Sequence, residues 1–232
     1  MPKPRVITFH PATAAGAVVD AYTGLDRLFG SLDAADFHRG SRCPGWSVAD
    51  VAFDLLCDAR RALVAFSRPT REPADLTYLS YWQVGRRQPA DALEHARFVR
   101  VSASAYPDAA ALRRDWGETA QAVAQVARSG HQQARFHAGA HVLAMPDLLA
   151  VLAVRACVHH LDATVQLASA PPPRDSVIEL AARTVDGLLG PADRPAWADQ
   201  TYLLKAAGRE PLDRHERAAL GDRADRFPLL DC

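Results

Sequence analysis

The chain has 232 residues, of which 49% are apolar, enough for one large domain, or one domain with a small appendage, around a substantial core. Lys plus Arg and Asp plus Glu balance at 27 each, so no global field draws in nucleic acid or an acidic membrane. Four cysteines, Cys43, Cys57, Cys157 and Cys232, show no CxxC spacing and read as free thiols in a reducing compartment. The first ten residues lack the apolar run of a signal peptide. The most apolar stretch, Leu143 to Val154, contains Pro146 and Asp147 and is too short to span a bilayer. The expectation is a soluble cytoplasmic protein.

Helical periodicity dominates. Val18, Val19, Tyr22, Leu25, Leu28 and Phe29 recur at helical spacing and predict a first helix from Ala12 to Leu32. Pro44-Gly45 breaks the chain, and Ser47 with Asp50 forms an N-cap pair opening a helix that runs to Phe66. Val48, Val51, Ala52, Leu55, Ala59, Ala62, Leu63 and Phe66 are its buried stripe. Ser67 to Pro73 reads as a connection, and Thr77 to Arg87, with Tyr78, Tyr81 and Trp82, as a structured loop that lines a pocket mouth or covers the core. Helices over Ala90 to Ser104 and Asp108 to Arg128 follow, parted by Pro107. A connector with His131, His137 and His141 comes next; in a loop these read as scattered polar residues, not a metal cluster. Pro146 suits the first turn of a central helix reaching about Ala168. Pro171-Pro172-Pro173 is a stiff linker, and a helix over Asp175 to Leu189 ends at Gly190-Pro191. The tail predicts a short strand at Gln200 to Leu204 and a helix near Asp213 to Leu220. The pattern is an all-α bundle, residues 1–170, with a C-terminal helix and small cap, residues 174–232.

Two distant segments carry the candidate chemistry. Asp54 lies beside the buried stripe of the second helix, with Asp58 one turn on. Arg155, His159 and Asp162 sit at i, i+4 and i+7 on the central helix, continuing a stripe from Leu148, Val151 and Leu152 that Val158 and Val165 take up again. Each desolvated charge costs several kcal/mol unless paired, so partners from another helix are required, and Asp54 is the natural one. His160 faces away, toward the surface or a packed loop.

At these residues the sequence resembles the DinB-like superfamily, in its mycothiol-dependent maleylpyruvate isomerase branch. The branch signature resembles P-G-W-[ST]-V-x-D-V-x-x-H-L on the second helix and E-x-x-x-H-x-x-D on the fourth. Pro44-Gly45-Trp46-Ser47-Val48, Asp50-Val51, Leu55, His159 and Asp162 match it. The tail, Leu204-Lys205-Ala206-Ala207-Gly208-Arg209, then Arg217-Ala218-Ala219-Leu220-Gly221 and Ala224-Asp225-Arg226-Phe227-Pro228-Leu229, is similar to actinobacterial members. The resemblance implies a DinB-like four-helix bundle and a metal, typically zinc, held by a His on the second helix and a Glu and a His on the fourth. Those positions are Asp54, Arg155 and His159 here. Asp54 and His159 can ligate; Arg155 has no lone pair to offer. A guanidinium about 5 Å from a divalent cation is repelled by about 7 kcal/mol at an effective dielectric near about 20. Asp54 and Arg155 instead suggest a buried ion pair filling the metal cavity.

Three functions follow from the resemblance and these departures. The first is a metal-independent isomerase or thiol transferase acting on a small carboxylate-bearing molecule, with mycothiol as candidate cosubstrate. There Arg155 holds a carboxylate or developing enolate, His159 moves the proton, and Asp54 or Asp162 sets its orientation. The second is a non-catalytic binding or interaction module with a plugged cavity, in which Arg155 fastens two helices and His159 is a hydrogen-bonded core residue. The third is a zinc enzyme using Asp54, His159 and a nonstandard third ligand such as His160 or a loop histidine. Cys57 and Cys157 read as small buried residues ahead of nucleophiles, Trp46 as packing at the helix entry, and Arg209 as a surface residue or a contact to a substrate acid. The expected partners are a small-molecule substrate and, as a homodimer, a second copy of the chain, with no nucleic acid and no membrane.

Overall fold

The computed structural model describes residues 9–84, 88–129, 133–190 and 194–231; His131 and Cys232 lie outside them. Helix α1 (Pro11–Ser31) starts on a proline, with the His10 side chain accepting from the Ala12 amide. Helix α2 (Val48–Phe66) opens on a reciprocal capping box: Ser47 Oγ accepts from the Asp50 amide, and the Asp50 carboxylate accepts from the Ser47 amide at 2.7 Å. Helices α5 (Ala109–Ser129) and α6 (Met145–Ala163) complete a bundle in which α1 and α2 each pack on both α5 and α6. Trp116 of α5 is the aromatic hub, its ring 5.2 Å from Tyr22 and 5.7 Å from Phe29. Helix α6 is buried on nearly every face, from Leu148 to Ala163. This explains its weak amphipathicity: a central helix has no solvent side to mark.

Two further helices lie between α2 and α5. Helix α3 (Ser80–Val84) occupies part of the segment expected as a loop, and buries Trp82. Helix α4 (Pro89–Ser104) leans on α2, with Phe98 6.1 Å from Phe53.

The sequence-based expectation, whose one strand is Gln200 to Leu204, misses a small antiparallel sheet. Strand β1 (Pro69–Thr70) pairs with β2 (Arg135–Ala138), which pairs with β3 (His141–Ala144). The hairpin turns at Gly139, whose φ of 66° suits a residue without Cβ. Four-residue strands are too short for alternation to show in sequence.

Beyond the bundle, α7 (Asp175–Leu189) packs on α1 and α6, and α8 (Asp199–Ala206) packs on α7 and α6. The strand expected at Gln200 to Leu204 is helical, within α8. Its run of Tyr202, Leu203 and Leu204 is buried as one continuous patch, and a continuous apolar run does not distinguish a buried helix from a strand. Helix α9 (Arg214–Leu220) starts on a second capping box, Asp213 with Glu216. The tail then returns, its Leu229 and Leu230 amides donating to the Ala206 carbonyl at 2.7 and 3.0 Å. Helix α6 ends at Ala163, earlier than expected, so Val165 lies past its end and is exposed rather than part of the stripe. Among the described residues no helix is long and apolar enough to cross a membrane.

Candidate functional site

The site lies where α2 crosses α6. The Ser47 cap fixes the phase of α2, so that Asp54 and Asp58, one turn apart, face inward and are both buried. Opposite them α6 presents Arg155, His159 and Asp162, all buried, with His159 wholly enclosed. Three further segments close over the pair. The loop before α2 supplies Cys43, the turn after α8 supplies Arg209, and α4 supplies His95.

These side chains form one continuous network. Arg155 Nε donates to Asp58 Oδ2, its Nη2 lies 3.5 Å from Asp54 Oδ2, and its Nη1 donates to the Asp231 carbonyl at 3.3 Å. Asp58 also takes a bond from Arg61 at 2.6 Å. His159 stands between two carboxylates: Nδ1 is 3.1 Å from Asp162 Oδ2, and Nε2 is 3.5 Å from Asp54 Oδ2. The far oxygen of Asp54 meets His95 Nε2 at 2.9 Å. Arg209 forks onto Asp162, with Nε 3.0 Å from Oδ1 and Nη2 3.0 Å from Oδ2. The Cys43 thiol donates to Asp162 Oδ2 at 3.2 Å, with His159 Nδ1 4.0 Å away and Arg209 Nη2 at 3.3 Å.

The electrostatics follow from this interleaving. Burial alone would raise the Asp54 carboxyl, but the His159 and His95 imidazoles beside it and the Arg155 charge win and hold it well below the ordinary range. Asp162 is opposed by burial in the same way, yet His159 and Arg209 bring it down to about 2. Burial would likewise lower the His159 imidazole, but Asp162, Asp54 and Cys43 raise it well above its usual value. The two carboxylates thus favour the protonated form of the His159 imidazole. Three buried carboxylates, Asp54, Asp58 and Asp162, face the buried Arg155 and His159 and the partly buried Arg209.

The positions that would hold the family's metal were tested against this geometry. Among the described residues His159 Nε2 has no hydrogen-bond partner, and it lies 3.5 Å from Asp54 Oδ2, as a ligand pair would. Arg155, however, puts its guanidinium against the same Asp54 oxygen. It offers no lone pair and would repel a divalent cation. Cys43 Sγ, His159 Nδ1 and Asp162 Oδ2 lie within 4.8 Å of one another, but Arg209 Nη2 already bonds two of the three. The residues present do not fit a divalent metal at either place.

All four residues expected at the site, Asp54, Arg155, His159 and Asp162, come together, and Arg155 donates its closest bond to Asp58 rather than Asp54. His160 is not at the surface: it is buried, with Nε2 2.8 Å from the Pro171 carbonyl. Arg209 is not on the surface either, its side chain only 11% exposed. The described loop histidines stay apart from the site, His137 near Glu72 at 3.5 Å and His141 on Asp75 at 3.0 Å. Tyr78 and Trp82 cover the core. Sequence reasoning missed Cys43 and His95. Cys43 directly precedes Pro44-Gly45-Trp46, a signal that was available; His95, on an exposed helix with little amphipathic pattern, carried none.

A four-helix bundle with acidic residues on its second helix facing a His-bearing fourth helix, closed by a C-terminal helical cap, defines a bundle protein with an inter-helix polar site. The sequence profile of the mycothiol maleylpyruvate isomerase N-terminal domain matches residues 18–164, more than half the chain, and the protein belongs to that family. A solved structure, the crystal structure of the mycothiol-dependent maleylpyruvate isomerase H52A mutant, is similar at 14% identity with a TM-score of 0.48, over 78% of this chain and 68% of that one. A search of curated protein sequences found no match.

Proposed function

We propose that the chain is a metal-independent member of its family in which an internal ion network stands in the metal's place, and that it binds a small molecule without catalysis at His159. The observation that carries this reading is the engagement of Arg155. Its side chain is 7% exposed, and it is spent on Asp58, Asp54 and the Asp231 carbonyl. A clamp for a substrate carboxylate needs those donors vacant. His159 is enclosed between two carboxylates that favour its protonated form, which suits it poorly to accept a proton. The test is metal analysis of protein purified without added metal, followed by an assay of maleylpyruvate turnover with mycothiol. Substoichiometric zinc and no turnover are expected. Stoichiometric zinc, or turnover abolished by His159→Ala in a variant that keeps its helical circular dichroism, would overturn the proposal.

One observation favours a second reading, the metal-independent isomerase or thiol transferase. Asp162 orients His159 through Nδ1 while Nε2 makes no hydrogen bond, the arrangement of an oriented acid–base imidazole. In that reading Arg155 swings to the substrate carboxylate and mycothiol enters as cosubstrate. Calorimetric binding of mycothiol to wild type, lost in His159→Ala, separates it from the first. Under either reading the chain is proposed to work in the cytoplasm of an actinobacterial host, as a monomer or homodimer.

A further inference from the structure

A groove of about 1030 Å³ opens beside the start of α2, away from the enclosed His159 network. Its size is at the upper end of ordinary small-molecule sites, about 300–1,000 Å³. Trp46, Leu93, Val101 and Tyr106 give it apolar walls, and Arg97 and Arg100 line it as well. The two arginines are three residues apart on α4 and so present neighbouring guanidinium groups on one face. Among the described residues neither has a carboxylate partner within ion-pair distance.

Two carboxylates also line the groove, Asp50 and Asp108, but both are engaged by the backbone. Asp50 accepts from the Ser47 amide and hydroxyl at 2.7 and 2.8 Å, and Asp108 accepts from the Ala111 amide at 2.7 Å. The groove thus joins an aromatic and aliphatic wall to two cations that form no ion pair among the described residues, while Asp50 and Asp108 are turned onto the Ser47 and Ala111 donors. Leu93 and Val101 are large apolar side chains left in solvent there, 74% and 62% exposed.

We infer that this groove binds a small amphipathic carboxylate, its acid group forked by Arg97 and Arg100 and its apolar body laid against Trp46, Leu93 and Val101. Forked guanidinium groups match a planar carboxylate in geometry and charge. The exposed apolar wall supplies the area whose burial drives binding. The site also has a line to the interior: His95, on the same helix, bonds Asp54 at 2.9 Å and its ring lies 6.2 Å from that of Trp46. The inference does not depend on whether His159 is catalytic, because none of the network's buried residues lines the groove.

The test uses the full chain and three probes. An aromatic sulfonate dye, 1-anilinonaphthalene-8-sulfonate, is titrated by fluorescence and then displaced by decanoate or by decanol. Saturable one-to-one binding is expected, with decanoate competing at least about tenfold better than decanol and losing that advantage in high salt. Arg97→Gln with Arg100→Gln should weaken decanoate about tenfold or more while leaving thermal unfolding unchanged, since both side chains are exposed. Val101→Asp, which sets a negative charge against the ligand, should weaken it independently. Equal competition by decanol, undiminished decanoate binding in both variants, absence of saturable displacement, or a second copy of the chain occupying the groove in solution would each overturn the inference.

Discussion

The Arg155 guanidinium bonds Asp58 through Nε and lies 3.5 Å from Asp54 through Nη2, bridging two carboxylates one turn apart on α2. One cation of α6 is therefore shared by two buried carboxylates of α2, which Arg61 and His159 also face, and the bundle seam depends on it. A buried ion pair adds little over a well-packed apolar pair, but losing one partner strands the other.

Arg155→Ala is accordingly expected to destabilise the fold by about 3–5 kcal/mol, a fall in melting temperature on the order of 10 °C for a chain of this size. Arg155→Met combined with Asp58→Asn should recover much of that loss, because the stranded charge is removed along with its partner. Thermal denaturation of the single and double variants measures this coupling; additive losses would contradict it.

Rebuilding the family's ligand set should restore metal binding. Asp54→His with Arg155→Glu places imidazole, carboxylate and the resident His159 at the three positions. Dialysed double variant is expected to retain about one zinc per chain, and to melt higher with zinc than with a chelator. Wild type should show neither effect.

The network also sets a pH window. Asp54 and Asp162 are depressed in the fold, Asp162 to about 2. Their stabilisation is therefore complete above the ordinary carboxylate pKa of about 4 and is lost as pH falls through the folded values. His159 is raised, so its stabilisation is present below its ordinary pKa of about 6.5 and disappears as pH rises through the higher folded value. Denaturant titrations should find a plateau between these limits. Asp162→Asn should lower that plateau by about 2–3 kcal/mol and flatten the acid limb.

Arg209 closes the network from the C-terminal cap, touching both Asp162 and Cys43. In a Cys57→Ser background, to silence the half-buried thiol, Arg209→Ala should accelerate labelling of Cys43 by an aromatic disulfide reagent severalfold or more. An unchanged rate would mean that the cap does not govern access to that thiol.

The bundle was legible because α1, α2 and α5 each present a buried stripe at the helical period, as α7 does beyond it. The same four ionisable positions, Asp54, Arg155, His159 and Asp162, stood out because charged residues on an apolar face demand partners. Short elements were not legible. Strands β1 to β3 carry two to four residues each, and α8 hides in a continuous apolar run, so local pattern gave no period to read.

The sequence by itself determined the helical frame, the Pro44-Gly45-Trp46 motif and an arginine on the buried face of the central helix, because those depend only on local spacing and side-chain chemistry. Tertiary structure decided what that arginine does. Asp58, Cys43, His95 and Arg209 reach the site from α2, the preceding loop, α4 and the turn after α8, and a network's charge balance is a sum over groups that only folding brings within a few ångströms.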